Sequence, residues 1–234
     1  MPPSISKPDA LRELQARLRA CRLCPEAGYE VASLPVVSAG PAAEVILIGQ
    51  APGRTEAETG RPFHGPSGRR LFRWLETVGW EEEAFRPRHA FAAVTRCYPG
   101  PRPAGRGDRV PTRAEQALCR PYLDEELRLI APRLIITLGS LALHLFYPAS
   151  TRLSDVVGSV AHFPPSALLP PDAFDIEQAE QLDAFDPTQD VDGRWLVPLP
   201  HPSGASLWHN HGPNQERLQR ALGIIGTIRS HLDL

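Results

Sequence analysis

Four cysteines place the strongest constraint on how this chain of 234 residues folds. They occur as a close pair, Cys21 and Cys24, followed by two single residues, Cys97 and Cys119. A Cys-X-X-Cys turn directs two sulfurs towards one ion or cluster, and two further thiolates complete a tetrahedral set. The pattern therefore predicts a metal centre that ties the N-terminal segment to the middle of the chain. The spacing alone is compatible with zinc or with an iron–sulfur cluster.

The compartment and the fold class follow from simple properties of the sequence. Its first residues contain no apolar stretch typical of a secretory signal peptide, and no apolar run approaches the length of a membrane span. We therefore expect a cytoplasmic protein. In that compartment disulfides are rare, so a cysteine quartet more often binds metal. The length suits one domain with a single sizeable core.

Apolar segments of strand character alternate with segments of helical spacing. Strands are predicted at 44–49, 89–97, 134–139 and 194–200, and helices at about 9–21, 67–80, 111–132, 140–146 and 215–231. This alternation predicts a single three-layer α/β domain over residues 1–234, with a central, mostly parallel four-stranded sheet flanked by helices. Ligands of such sheets bind beyond the carboxyl ends of the strands.

Charge is distributed unevenly along the chain, although the net charge is only −2. A segment rich in Pro and Asp, at about 163–193, is predicted to be an acidic insert. Arginines concentrate between Arg86 and Arg113, opposed locally only by Asp108. Such a basic cluster suits a phosphate backbone, and a solvated surface loop is the alternative. We expect the acidic insert to shield or compete for this basic segment.

Two motifs directly follow predicted strands. Residues 49–65 read GQAPGRTEAETGRPFHG, which lacks both the Gly-Lys-Ser/Thr ending of a P-loop and the GxGxxG spacing of a dinucleotide site. Residues 198–210 read PLPHPSGASLWHN, in which a His-Pro-Ser turn places an imidazole at the end of a strand. The turn also exposes backbone donors and a hydroxyl to an anionic group. A capping role for the histidine is the alternative.

From about residue 10 to 225, the ordered set of motifs resembles the iron–sulfur branch of the uracil-DNA glycosylase superfamily. Family 4 of that superfamily has CxxC, a GEAPG…GRPF loop, a cysteine after the second strand, a cysteine in the next helix, and HPS. Two positions depart from this pattern: Gln50 replaces a glutamate, and Ala93 replaces an asparagine that reads the edge of uracil. Ala93 is closer to family 5, so the chain resembles a divergent relative of families 4 and 5.

The resemblance implies a DNA repair glycosylase that flips out uracil, or a related deaminated base, and hydrolyses its N-glycosidic bond. In that interpretation His201 donates a hydrogen bond to the leaving base, and Gln50 orients water or binds the base. Glu56 activates water or stabilises the sugar cation, a solvated loop acid being the alternative. Phe63 stacks on the base, and further base contacts are assigned to Gly49, Ala51, Pro52, Gly53 and Ala93.

The resemblance also implies a 4Fe–4S cluster held by the four cysteines, with zinc as the alternative, and a role for the cluster as a brace for DNA contacts. The expected DNA-binding residues are Arg102, Arg106, Arg109, Ser203, Gly204, Ser206, Leu207 and Trp208. Leu207 or Trp208 is the expected wedge into the duplex, although Trp208 packed in the core is an equal alternative. We expect a monomer.

Two other functions stay open at this point. One is a non-catalytic protein that binds lesions or single-stranded DNA, because Gln50 replaces an acid. The other is a zinc-stabilised α/β hydrolase or nucleotide-binding protein that does not bind DNA.

Overall fold

The computed structural model describes residues 6–38, 43–104, 107–167, 176–189, 192–204, 208 and 212–234. In these ranges the chain forms one six-stranded sheet with the order β2-β1-β3-β6-β4-β5. The strands are β1 (Val45–Gly49), β2 (Ala90–Ala93), β3 (Leu134–Leu138), β4 (Val160–Phe163), β5 (Glu180–Leu182) and β6 (Arg194–Leu199). Strands β2, β1, β3 and β6 are parallel; β4 pairs antiparallel with β6, and β5 pairs antiparallel with β4.

Helices cover both faces of the sheet. They are α1 (Lys7–Arg19), α2 (Leu23–Glu26), α3 (Arg54–Thr59), α4 (Pro66–Glu76), α5 (Glu82–Arg88), α6 (Arg113–Ile130), α7 (Ser140–Leu143), α8 (Leu153–Val156) and α9 (Gly212–Leu232). On one face Val45 and Leu47 of β1 pack in a core with residues of α4, α5 and α9. On the other face Ile46 and Ile48 pack in a core with residues of α1, α6 and α7.

Because successive residues of a strand point to opposite faces, a strand between two helical layers is apolar at every position. All five residues of β1 are buried in this way. The predicted three-layer α/β architecture is therefore confirmed. None of the described helices is both long and apolar enough to cross a lipid bilayer.

The predicted number of strands is wrong: the sheet has six strands, not four. The two additional strands, β4 and β5, lie at the start of the acidic segment 163–193 and within it. β4 has only four residues, and β5 has the sequence Glu-Gln-Leu with largely exposed side chains. Neither has the long apolar run that marks the other strands; β4 pairs with β6, and β5 pairs with β4.

The strand order also bears on the expected shielding of the basic segment. β5 is at one edge of the sheet and β2, which leads into the basic segment, is at the other. Five strand spacings correspond to about 24 Å. The described part of the acidic segment is thus far from the described arginines after β2, and direct shielding finds no support in this arrangement.

Candidate active site

A cleft of about 510 Å³ opens where the loops after β1, β2 and β6 meet. The carboxyl ends of parallel strands lie at the same edge of a sheet, so motifs distant in sequence come together there. All the residues predicted to act in catalysis or base binding line this cleft, namely Gly49, Gln50, Ala51, Pro52, Gly53, Glu56, Phe63, Ala93 and His201. Its size is within the usual range for a small-molecule or single-nucleotide pocket.

Glu56 stabilises the glycine-rich loop through hydrogen bonds to two of its backbone amides. Its Oε2 accepts a hydrogen bond of 3.0 Å from the Gly53 amide, and its Oε1 accepts one of 2.8 Å from the Gly65 amide. A Cβ on Gly53 would lie only 2.8 Å from Oε2, so a side chain there would displace the carboxylate. Both carboxylate oxygens therefore stabilise the loop. The expected role of Glu56 in activating water stays a prediction.

Phe63 forms the apolar wall of the cleft. Its backbone has a φ of 50°, in the left-handed region that costs a non-glycine residue about 1–2 kcal/mol. Arg86 offsets this cost by donating 2.9 Å hydrogen bonds to the carbonyls of Pro62 and Phe63. The Phe63 ring packs 5.8 Å from that of Phe91, and its Cζ lies 2.8 Å from where a Cβ on Gly49 would stand. Gly49 thus makes room for the ring.

His201 lies in the cleft as a neutral hydrogen-bond donor. The Ser203 amide donates to its Nδ1 over 3.2 Å, which assigns the ring proton to Nε2. Burial lowers the pKa of His201, against the opposing effect of Glu56, so the ring is neutral at neutral pH. Gly139 has a φ of 85°, and a Cβ there would lie 3.0 Å from the His201 Cβ. Arg70 donates a 2.9 Å hydrogen bond to the Ser203 carbonyl and so fixes the turn.

Gln50 and Ala93 both line the cleft, at the ends of the neighbouring strands β1 and β2. Ala93 is the register partner of Gly49, and the Thr95 amide donates to the Gln50 carbonyl over 3.2 Å. The methyl group of Ala93 can offer no hydrogen bond to a base. Gln50 also lines the cleft, and the amide of its side chain has two donor hydrogens and an acceptor oxygen.

The basic segment after β2 folds into a short antiparallel hairpin. The Arg102 amide donates to the Gly107 carbonyl and the Arg109 amide to the Gly100 carbonyl, each over 3.0 Å. The Arg109 guanidinium donates to both carboxylate oxygens of Glu115, over 2.8 and 2.6 Å. These bonds hold the pKa of Glu115 at about 2 and raise that of Arg109. The Arg109 guanidinium is therefore engaged by Glu115 of α6, whereas Arg102 is exposed at the cleft.

The other predicted DNA contacts are only partly described. Ser203 lines the cleft, and Gly204 is exposed beside it. Trp208 is half-buried against the core on the α9 side, and its carbonyl accepts a 2.9 Å hydrogen bond from the Asn214 side chain. These contacts fit the packing alternative for Trp208. Three predicted residues lie outside the described ranges: Arg106, Ser206 and Leu207.

Among the polar side chains of the site that the sequence did not predict are Arg54, Arg70 and Asp108. Arg54 and Asp108 line the cleft, and Arg70 holds the Ser203 carbonyl. Arg54 lies inside the first motif, and Asp108 is the single acid in an arginine-rich segment, so each carried a visible signal. The contact of Arg70 joins residues 133 positions apart and has no local signal.

All four cysteines line one largely apolar cavity behind the cleft. Cys21 follows α1, Cys24 lies in α2, Cys97 follows β2 and Cys119 lies in α6. Burial raises the pKa of Cys97 to about 12 and also raises that of Cys119. Thiolates at such sites need a positive metal centre to stabilise them.

The donor set of this cavity fits an iron–sulfur cluster, which cysteine thiolates hold. The cavity is also lined by Thr95 and Arg96, whose buried Oγ1 and Nε have no hydrogen-bond partner. Such donors suit the inorganic sulfides of an iron–sulfur cluster.

The fold and this cleft, with a glycine-rich loop facing a His-Pro-Ser turn, define a glycosylase-like α/β protein. A family model described as the uracil DNA glycosylase superfamily matches residues 37–223, and the chain belongs to that superfamily. The predicted family is thereby confirmed.

Among similar proteins are three that carry the name Type-4 uracil-DNA glycosylase. The one from Sulfurisphaera tokodaii is 31% identical over 132 residues, which cover 56% of this chain and 55% of that protein. The one from Pyrobaculum aerophilum is 30% identical over 64% of this chain and 71% of its own length. For the one from Archaeoglobus fulgidus the identity is 30%, with 65% and 73% covered.

Proposed function

We propose that this protein is a monofunctional DNA glycosylase that excises uracil, or a related deaminated base, and leaves an abasic site. The observation that carries the proposal is the neutral imidazole of His201, whose Nε2–H has no acceptor among the described residues and lies in a cleft walled by Phe63. A base inside a duplex is out of reach, so the nucleotide is extruded into this cleft. The names and the similarity of the three relatives support the same activity.

The cleft supplies the two interactions that base release needs. The Phe63 ring stacks on the flipped base, as aromatic side chains do in other base-binding sites. When the N-glycosidic bond breaks, negative charge develops on the leaving pyrimidine, and Nε2–H of His201 stabilises it. Because the ring is already neutral and oriented by Ser203, this donor needs no rearrangement during the reaction.

The four cysteines would hold a 4Fe–4S cluster in the cavity that they line. When bound, the cluster supplies a rigid cross-link between α1, β2 and α6. The hairpin at 100–109 begins three residues after Cys97, and Arg109 joins it to α6, which carries Cys119. Such a link supports a bracing role for the cluster, with the chemistry at the cleft.

DNA is the proposed partner, approached through Arg54 and Arg102 at the cleft. Both are exposed, as phosphate contacts require. We also propose a cytoplasmic monomer in which residues 1–234 form one domain with segment 163–193 inserted.

The test is incubation of the purified protein with matched oligonucleotides that carry uracil, hypoxanthine, xanthine or no lesion, followed by alkali. We expect cleavage at uracil. Cleavage at hypoxanthine is also expected, because Ala93 offers no side-chain hydrogen bond to select one base. Absence of cleavage at every lesion by protein with a loaded cluster would refute the proposal.

One observation favours a second function, a lesion-binding protein without catalysis. Gln50 has no basicity, and both oxygens of Glu56 are occupied by backbone amides. This function predicts tight binding to uracil-containing DNA with the base retained in the strand. The same oligonucleotides, assayed for binding and for base release, distinguish the two functions.

A further inference from the structure

Hydrolysis of an N-glycosidic bond needs a group that takes a proton from the attacking water. Of the described residues that line the cleft, two are acids, Glu56 and Asp108. Glu56 has each oxygen engaged by a backbone amide, from Gly53 and from Gly65. Asp108 is the other acid.

Asp108 is held over the glycine-rich loop by the hairpin. It forms an antiparallel bridge with Pro101, and its backbone carbonyl accepts a 3.2 Å hydrogen bond from the Arg102 side chain. Its Oδ1 accepts a 2.8 Å hydrogen bond from the Tyr98 hydroxyl. Its Oδ2 lies 3.3 Å from where a Cβ on Gly53 would stand. One oxygen is thus anchored while the other faces the loop that is expected to bind the base.

Tyr98 is suited to orient this carboxylate. The side chain is only 4% exposed, so its position is set by the surrounding packing. Its hydroxyl donates to Oδ1 of Asp108, which fixes that oxygen in place. The Arg109–Glu115 ion pair anchors the end of the hairpin next to Asp108. The Tyr98 hydroxyl, the Arg102 side chain and the Arg109–Glu115 ion pair thus fix Asp108, which is exposed at the cleft.

We propose that Asp108, and not Glu56, is the carboxylate that activates water in this cleft; this inference rests on the proposed glycosylase function. The bond between C1′ and the base nitrogen breaks, and its electron pair leaves with the base, which His201 stabilises. A water oxygen bonds to C1′, and its proton passes to Oδ2 of Asp108. The proton then passes to the departing base, so that the products are the free base and an abasic sugar.

The test measures single-turnover release of uracil by Asp108→Asn, Asp108→Glu and Asp108→Ala. The matched control is Glu58→Gln, which removes an exposed acid from the neighbouring helix α3. We expect Asp108→Asn to lower the rate about 100- to 1000-fold with DNA affinity and melting temperature unchanged, as loss of a general base does. Asp108→Glu should retain a rate within about tenfold of wild type. Added formate should partly restore Asp108→Ala, because a small carboxylate can replace a missing base but not a missing structural tether.

Each contrary result has a distinct meaning. A rate for Asp108→Asn within about fivefold of wild type overturns the assignment. A large loss that tracks weaker DNA binding and responds neither to glutamate nor to formate overturns it in favour of a tethering role. If Glu56→Gln loses base release at unchanged melting temperature while Asp108→Asn does not, the base is Glu56. If the wild-type protein releases no base from any lesion, the proposed function itself fails, and the role of Asp108 fails with it.

Discussion

Replacement of His201 by alanine removes the one donor that the account assigns to the leaving base. In the folded protein the Ser203 amide occupies Nδ1, so the variant loses a single oriented N–H at Nε2. Removal of one preorganised donor from a buried site costs about 100- to 1000-fold in rate, equivalent to about 2.7–4 kcal/mol of transition-state stabilisation. We therefore expect His201→Ala to release uracil at that reduced rate under single-turnover conditions.

The pH dependence of the wild-type rate tests the same assignment independently. Burial lowers the pKa of His201 below its ordinary value of 6.5, so the neutral ring dominates at and above that pH. The contribution of His201 to the rate should therefore not decrease as pH rises from about 6.5 to 8.5. An imidazolium donor would instead lose about tenfold in rate per pH unit above its pKa.

A matched control separates a specific effect from a general one. His144 is exposed at the C-terminal end of α7 and does not line the cleft; its Nε2 lies 3.1 Å from the Thr151 carbonyl, and His144→Ala should leave the rate unchanged. Two results would contradict the assigned role of His201. One is a rate for His201→Ala within about fivefold of wild type. The other is a wild-type rate that falls about tenfold per pH unit, with a fall that His201→Ala abolishes.

Three further changes have defined outcomes. Gly49→Ala places a Cβ 2.8 Å from the Phe63 Cζ and should displace the ring. Steady-state kinetics should then show a KM for uracil-containing DNA raised about tenfold. An unchanged KM would contradict the stacking role of Phe63. Glu115→Gln breaks the ion pair with Arg109 and should lower the free energy of unfolding, measured with urea at pH 7, by about 2–3 kcal/mol. A decrease below about 0.5 kcal/mol would contradict this. Burial lowers the pKa of His89 to about 4, so the folded state resists a protonation that the unfolded state accepts, and stability is lost as pH falls from about 6.5 towards 4. His89→Phe should remove about 2 kcal/mol of the stability difference between pH 7.5 and pH 5, and an equal pH dependence in both proteins would contradict this.

The parts of the fold that the sequence predicts are those whose signal is local. Continuous apolar runs mark β1, β3 and β6, because a strand covered on both faces is apolar throughout. The convergence of the glycine-rich loop with His201 follows from the parallel order of these strands. The short strand β5 is polar, and its pairing with β4 depends on a neighbour that no local pattern indicates.

The same distinction applies to the site. Residue types alone indicated that Glu56 is an acid in a candidate catalytic loop, but only the structure gives the two amides that occupy its oxygens. Arg109 looked like a phosphate contact until its bidentate bond to Glu115 was located. Asp108 became a catalytic candidate because Tyr98 and the hairpin direct it towards the cleft. Hydrogen bonds and ion pairs of this kind depend on the folded arrangement of the side chains, and the sequence alone does not indicate them.

Direct detection of the released base tests the central claim most sharply. The cluster-loaded protein is mixed in excess with a uracil-containing oligonucleotide, and the free base and the strand are quantified separately by mass spectrometry. We predict one free uracil for each alkali-labile abasic site, with release at least 100-fold slower in His201→Ala. Tight binding of the oligonucleotide with its uracil still attached would contradict the account.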